Sequence, residues 1–414
     1  MNPFDATRKD LPRPLEGVRI IECGVWHAGP GGTAILGDLG AEVIKIESLD
    51  GDPERHNPGR LGTVKLTGVA KDDWSVIYEI SNRNKRGICV DIATEEGREI
   101  LSRLVATADI FMTNFRAPTI PKLGVDEATI RAINPKIIHI TVSGYGSTGP
   151  LADLGGFDPM GQAVSGMAFI TGSDEPVVLQ VLFLDQMTAI VASHAMITAL
   201  FVRERHGYGQ ALHVSLYGSA TWIMYANLLT TSIMKQNLAT KWDRQITPPL
   251  RNCYRCSDGQ WIMGTCHPEG KYWRRFCELI GLPDHADDPR YESSEKRAEN
   301  VRSLIAAIDA AMLAKTREQW LKIFHANGVL FVGVQSMTDV LQDPQAHLNG
   351  YVKNVDHPTL GQVTLPGYPV QFSANSTRLS PAPDRGQHTR EVLREIGYTE
   401  SQIDAMCAAT VIKA

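Results

Sequence analysis

The stretch GVRIIECGVWHAGPGGTAILGDLGAEVIKIE, residues 17–47, decides the fold class. Gly17 to Cys23 is a short β-rich run, and Gly29-Pro30-Gly31-Gly32 follows it as a turn-forming segment. Thr33 to Leu39 reads as a helix that stops at Gly40, because glycine readily takes the left-handed backbone that ends helices. Ala41 to Glu47 then alternates apolar and polar residues with the period of a strand. Strand, Gly-rich turn, helix and strand make a βαβ unit, so a parallel sheet with right-handed crossovers is expected. The class is α/β.

The alternation continues outward. Ile88–Asp91 is a short strand, and Thr94 is placed to cap a helix whose first turn carries Glu95 and Glu96, where the helix dipole favours them. That helix sets Ile100, Leu101, Leu104 and Val105 on one face. Ile110–Met112 and Ile137–Val142 are two further strands. A long helix is expected from Gln186 to Arg203 with Asp185 as its cap, and its all-round apolar character predicts burial against the sheet or a partner. Gln236 to Pro249 is polar and ends in Pro248-Pro249, as a linker does. Tyr254 to Met263 reads as a hairpin around Asp258-Gly259, helical runs follow at Trp273–Ile280 and Ala298–Leu313, and strand-like runs return at Val329–Val334 and Gln362–Leu365. The organisation predicted is a large domain over 1–232, a smaller α+β domain inserted at 233–325, and a return to the large domain over 326–414.

Composition narrows the function classes. The chain has 414 residues, 41 Lys+Arg against 46 Asp+Glu, and 43% hydrophobic residues, which is globular composition. A net charge of −5 with no basic block gives no footprint for a nucleic-acid backbone. The longest nearly apolar stretch, Ala189 to Val202, is interrupted by Ser193, His194 and Thr198 and is too short to span a bilayer. The opening residues MNPFDATRKDLPRPL lack the apolar core of a signal peptide. Seven cysteines, an odd number without regular spacing, suit reduced thiols and a cytoplasmic location.

Two motif matches dissolve on inspection. Gly144-Tyr145-Gly146-Ser147-Thr148-Gly149 follows a strand as a dinucleotide fingerprint would, but Pro150 and a loop composition follow where a helix should open. Cys253-x-x-Cys256 lies on a strand, which points the two thiols to opposite faces, and no second pair has zinc-site spacing. No metal site is expected. Serine-hydrolase elbows, zinc-protease helices and Walker loops are absent from the sequence. What remains is a set of polar residues at strand ends: Trp26-His27-Ala28, Asn114-Phe115 and Ser143-Gly144-Tyr145. Loops beyond the carboxyl ends of parallel strands are where open α/β sheets bind ligands. Asp158, Asp174 and Asp185 lie downstream. Each alone reads as a helix cap or loop residue, though Asp185 stands between the apolar run Val177–Leu184 and an apolar helix.

The chain resembles the class III CoA-transferase family, which includes formyl-CoA transferase and carnitine-CoA transferases, takes in benzylsuccinate-type transferases, and is related to α-methylacyl-CoA racemase. The resemblance rests on LEGVRIIECGVWHAGPGGTAILGDLGAEVIKIE at 15–47, NRNKRGICVDI at 82–92, DIFMTNFRAPTIPKLG at 109–124, INPKIIHITVSGYGSTGP at 133–150, GFDPMGQAVSGMAFITG at 156–172 and RERHGYGQALHVSLY at 203–217, in that order. It implies a Rossmann-like large domain built from both chain ends, a small inserted domain, and two chains interlocked as a dimer. The partner chain implied is a second copy or a homologous subunit.

The chemistry implied is transfer of coenzyme A from an acyl-CoA, such as succinyl-CoA, to a free organic acid, such as an aryl-substituted succinate. An Asp attacks the thioester, and an anhydride and an aspartyl-CoA thioester follow. Coenzyme A enters as co-substrate, with no metal. Family order places the nucleophile at Asp185: Thr171-Gly172, an apolar run, an Asp opening a long helix, then the block Arg203–Gln210. Leu184 departs from the glycine often found there. The coenzyme contacts carried over are Val25, Trp26, His27, Ala28, Asn114, Phe115 and Lys122. Ser48 and Gly155 stand where formyl-CoA transferase has cations, which leaves Lys122 as the firmest phosphate partner, with Arg83, Lys85 or Arg116 as supplements. The Gly-rich lid is replaced by the Pro- and Arg-containing segment Arg244–Arg251. Two rival readings follow: a racemase, for which Phe157 lacks the histidine of that branch's G-H-D segment, and a non-catalytic CoA-binding subunit.

Overall fold

The computed structural model describes residues 11–56, 75–170, 175–236 and 242–414, with the backbone alone at 60–61 and 64–65. The chain divides into two compact units, Met1–Ala239 with His347–Ala414, and Thr240–Ala346.

In the first unit, β1 (Arg19–Cys23), α1 (Ala28–Asp38), β2 (Glu42–Glu47), α2 (Val76–Asn82), β3 (Lys85–Val90), α3 (Glu95–Ala106), β4 (Ile110–Thr113), α4 (Glu127–Ile133) and β5 (Ile138–Ser143) alternate as the sequence predicts. α5 (Asp158–Ser165), α6 (Phe183–His206), β6 (Ala211–Ser215), α7 (Leu216–Ile223) and α8 (Tyr225–Met234) follow. The second unit holds β7 (Cys253–Arg255), β8 (Trp261–Gly264), α9 (Glu269–Leu279), α10 (Val301–Met312), α11 (Arg317–Ala326) and β9 (Phe331–Gly333). The returning chain adds a hairpin of β10 (Val352–His357) and β11 (Gly361–Pro366), then α12 (Thr389–Glu395), α13 (Glu400–Ala408) and β12 (Ile412–Lys413).

The large sheet runs β12-β3-β2-β1-β4-β5-β6. Every pairing is parallel except that of β12 with β3. Strand order therefore reverses between β1 and β4, and the loops leaving those two strands diverge to open a crevice. Ile21 is level with Ile44 on one side and Phe111 on the other. Alternate residues of each strand enter opposite cores: Ile21, Ile44 and Phe111 pack with Ile100, Leu104 and the C-terminal Val392 and Ile403, while Ile20, Val43 and Met112 pack with Leu184, Ala192 and Met196. The predicted cap holds, with Thr94 Oγ1 accepting from Gly97 N at 3.0 Å.

One reading is corrected. Gly29-Pro30-Gly31-Gly32 is not a turn but the opening of α1. Pro30 is tolerated there because first-turn N–H groups have no partner within the helix. The glycines serve packing: a Cβ on Gly31 would lie 3.0 Å from Ala189 Cβ, and one on Gly32 3.1 Å from Ala192 Cβ. α1 and α6 consequently approach backbone to backbone. α6 itself is longer than the predicted Gln186–Arg203, at 24 residues. Among the described residues it is the one helix whose length and apolarity would suit a bilayer, and here its buried face covers the large sheet.

In the second unit β7, β8 and β9 form an antiparallel sheet, and the expected hairpin around Asp258-Gly259 joins the first two. The run Val329–Val334, which the sequence returns to the large domain after 325, supplies β9 and pairs with β8. Phe331 stacks there on Phe276, with ring centroids 5.7 Å apart, so the second unit keeps the chain to Ala346.

Candidate active site

The crevice at the β1/β4 reversal is a cleft of about 500 Å³. Its walls are Val25, Trp26 and Ala28 after β1, Asn114 to Ala117 after β4, and Ser143-Gly144 after β5, and the loop Ala152–Phe157, Asp185, His213 and Leu216 complete it. Loop composition explains the shape. Gly24 and Gly29 admit the Met112 and Asn114 side chains, which a Cβ at either glycine would meet at 2.9 to 3.3 Å. Trp26 takes a left-handed backbone, φ 61°, a conformation that costs a non-glycine residue of order 1 kcal/mol or more and persists where surroundings enforce it.

Those surroundings are explicit. Asn114 Oδ1 accepts from Val25 N at 2.9 Å and Asn114 Nδ2 donates to Val25 O at 2.6 Å, which ties the two diverging loops together. Beneath them lies a fully buried charge network. Lys45 Nζ bonds Glu22 Oε1 at 3.0 Å and Asp52 Oδ2 at 2.9 Å, and Lys85 Nζ bonds Glu22 Oε2 at 2.7 Å. The same ammonium groups donate to Gly24 O at 2.8 Å and Pro30 O at 2.9 Å. Both ends of the Val25–Ala28 segment are thus pinned from below.

Two carboxylates meet at the start of α6 and take different roles. Asp158 is buried, and its Oδ2 accepts from Leu184 N at 2.6 Å and Asp185 N at 3.0 Å, while Oδ1 accepts from Gln162 Nε2. It is Asp158, from the neighbouring helix, that caps α6; Asp185 sits inside the first turn rather than at the cap. Asp185 instead faces the cleft. Burial, reinforced by the charge of Asp158, pushes its carboxyl up to about 7. The favourable field of the helix N-terminus serves Asp158 instead, whose Oδ2 holds the Leu184 and Asp185 N–H groups.

The remaining predicted residues fall into three groups. Val25, Trp26, Ala28, Asn114 and Phe115 line the cleft. His27 does not, being 1% exposed with Nδ1 at 2.8 Å from Ser81 Oγ and Nε2 at 2.8 Å from the Gln186 side-chain amide. Lys122 is exposed on the loop after β4 and outside the cleft lining, while Arg116 of that loop is within it. A Cβ on Gly155 would lie 2.9 Å from the Arg116 guanidinium, so the glycine at that place is what admits the arginine. Lys85 and Arg83 are committed elsewhere, to Glu22 and Asp38. Asp174 and Thr171-Gly172 lie outside the described residues. Gly144 and Gly146 line the cleft as loop residues.

Sequence reasoning missed His213 and Gln186. His213 lines the cleft from β6, and burial lowers its pKa. Its one signal was a polar residue in an apolar strand, which is no more than ordinary alternation. Trp26 and Phe157 meet edge to face across the cleft, centroids 5.6 Å apart, which gives the site an aromatic wall.

The family model described as CoA-transferase family III matches residues 15–389. The succinyl-CoA:glutarate CoA-transferase of Mus musculus is 31% identical over 98% of this chain and 91% of its own length. The cinnamoyl-CoA:phenyllactate CoA-transferase of Clostridium sporogenes is 31% identical over 95% of each chain. Among solved structures, a CAIB/BAIF family protein from Brucella suis superposes with a TM-score of 0.82 at 28% identity, covering 93% of this chain and all of that one.

Proposed function

Because the chain belongs to CoA-transferase family III, we propose that it moves coenzyme A from succinyl-CoA to a free organic acid carrying an aryl group, with Asp185 as the nucleophile. The observation that carries this reading is the division between the two carboxylates. Asp158 is consumed by three hydrogen bonds, and Asp185 faces the cleft. An Asp185 oxygen attacks the thioester carbonyl; the C–S bond breaks and the CoA thiolate leaves a mixed anhydride. The thiolate then attacks the Asp185 carbonyl, expels the donor carboxylate and gives an aspartyl-CoA thioester. The acceptor carboxylate attacks that thioester, and the released thiolate takes the acceptor acyl group, which regenerates Asp185. No net proton is needed, and one hard exchange becomes four easier ones. A carboxylate stripped of water is a stronger nucleophile, which is the use of its raised pKa.

The aryl preference is supported by the Trp26–Phe157 wall and by relatives named for succinyl-CoA and phenyllactate. Arg116, in the lining, is placed to meet an anionic group of either substrate. The purified chain, given succinyl-CoA and a panel of free acids, should form new acyl-CoA esters detected by mass, fastest with aryl-bearing acids. Failure with every donor and acceptor would refute the reading. The seven unpaired cysteines suit a reducing cytoplasm.

The pH dependence follows from Asp185. Its ionised fraction falls as pH drops below its raised pKa, so kcat/KM should fall tenfold per unit on the acid side of an inflection near 7. Asp158→Asn removes a like charge, and the inflection should move to lower pH. An inflection unmoved in that variant would deny the coupling.

The reading includes a second chain. Trp222, Tyr225, Leu229 and Ile233 of α7 and α8, together with Phe201 of α6, are each at least half exposed, and large apolar side chains left open to water on three helices favour burial against a partner. Light scattering should give a dimer mass, and a monomer at micromolar concentration would contradict this.

A further inference from the structure

His27 was carried into the site as a coenzyme contact, yet its ring is 1% exposed and both nitrogens are bonded within the protein. We propose that His27 is a positioning residue, a strut that spans Ser81 on α2 and Gln186 on α6 and so holds the start of α6, and with it Asp185, against the Val25–Ala28 wall of the cleft. The inference rests on Asp185 being the nucleophile.

The geometry supports a strut at each contact. Nδ1 lies 2.8 Å from Ser81 Oγ, and Nε2 lies 2.8 Å from the terminal amide of Gln186, the residue that follows Asp185. The ring edge packs on α1 itself, where a Cβ on Gly31 would lie 3.1 Å from His27 Cε1. His27 also carries the first turn of α1, since Gly31 N donates to His27 O at 2.6 Å. One imidazole therefore touches α1, α2 and α6, the three helices whose meeting sets the distance from the Val25–Ala28 wall to Asp185.

Counting protons fixes the direction of the strut. Ser81 has one hydroxyl hydrogen, and Ile77 O, which can only accept, lies 2.6 Å from Ser81 Oγ. Nδ1 must then carry the ring hydrogen and donate to Ser81 Oγ. Burial pushes the pKa of His27 down to about 4, so the ring has no second hydrogen and Nε2 is an acceptor. The atom 2.8 Å from Nε2 is Gln186 Oε1, which cannot donate, so this tautomer requires the amide turned over to present its N–H, an assignment made from the hydrogen-bond network. The first-turn N–H groups cannot substitute for this link. Leu184 N and Asp185 N are held by Asp158, and Gln186 N by Leu182 O.

The test uses side chains that copy one half of the ring each. Gln reaches as far as Nε2 and Asn as far as Nδ1. In the protein as purified, His27→Gln should keep kcat within about threefold, while His27→Asn and Gln186→Ala should each lose about tenfold in kcat with KM for acyl-CoA little changed. The double variant His27→Asn/Gln186→Ala should be no slower than either single, because both remove one link. Equal activity of the Gln and Asn variants, or losses that multiply in the double, would overturn the proposal. Nitrogen-15 spectra of histidine-labelled protein provide a readout that needs no turnover: His27 should show the neutral Nδ1–H tautomer from pH 6 to 8, and its Nε2 resonance should shift in Gln186→Ala. An Nε2–H tautomer would overturn the strut even in an active enzyme. A correct tautomer in a protein that transfers nothing would leave the strut standing and refute only the assignment of Asp185. Circular dichroism of each variant separates loss of folding from loss of rate.

Discussion

Asp185→Asn should abolish transfer, with a loss of about 10⁴-fold or more in kcat, because the proposed mechanism forms every covalent intermediate on that carboxylate. The amide keeps the shape of the side chain, so binding of acyl-CoA should survive. The same change should stabilise the fold in a pH-dependent way. A carboxyl whose pKa rises to about 7 on folding holds its proton more tightly in the native state than in the unfolded chain. Native stability therefore falls as pH climbs from about 4 to 7, and the full cost stands above 7. The thermal midpoint of Asp185→Asn should exceed that of the parent at pH 8 and match it near pH 4. A variant that is inactive but gains nothing at pH 8 would mean that Asp185 is not desolvated in the resting site. Sites that store such cost are expected where activity depends on it.

Glu22→Ala should produce the largest loss of stability. Glu22 bonds both Lys45 and Lys85 with no solvent access to any of the three side chains. Removing it leaves two buried ammonium groups short of a partner, a loss of about 3–5 kcal/mol for one broken buried pair. Denaturant unfolding followed by tryptophan fluorescence should show that loss. The double variant Glu22→Ala/Lys85→Met should recover part of it, because Lys45 keeps Asp52 as its partner while the uncompensated Lys85 charge is removed. A loss below about 1 kcal/mol would place water in the network. The functional consequence is local: Lys45 and Lys85 hold the Gly24 and Pro30 carbonyls, so Glu22→Ala should also loosen the Val25–Ala28 wall and raise KM for acyl-CoA.

How far the sequence could be read depends on the range of the interactions involved. The βαβ opening, the Thr94 cap and the Asp258-Gly259 hairpin were legible because period and turn chemistry act over a few residues. Gly29 to Gly32 misled for the same reason. Glycines next to a proline signal a turn locally, and only the approach of Ala189 and Ala192, far along the chain, shows that they are packing glycines at a helix start. The run Val329–Val334 was correctly read as a strand, but its neighbour in the sheet is a matter of topology, and β8 proved to be the partner.

In the candidate site, the loops that line the cleft could be named from strand ends alone, since the crevice position follows from sheet order. The choice among Asp158, Asp174 and Asp185 could not. Resemblance pointed to Asp185, and the physical difference between Asp158 and Asp185 lies in hydrogen bonds across 26 and 27 residues. His27 illustrates the limit most clearly. Its partners Ser81 and Gln186 stand 54 and 159 residues away, and nothing in the sequence distinguishes a buried strut from a ligand-facing histidine.

The covalent role proposed for Asp185 has a direct test. Purified protein should be mixed with succinyl-CoA, quenched with hydroxylamine, digested and examined by peptide mass spectrometry. A hydroxamate is expected on Asp185, lost when succinyl-CoA is omitted and absent in Asp185→Asn. A hydroxamate on Asp158 instead, or no modified carboxylate with any acyl-CoA that the protein demonstrably turns over, would contradict it.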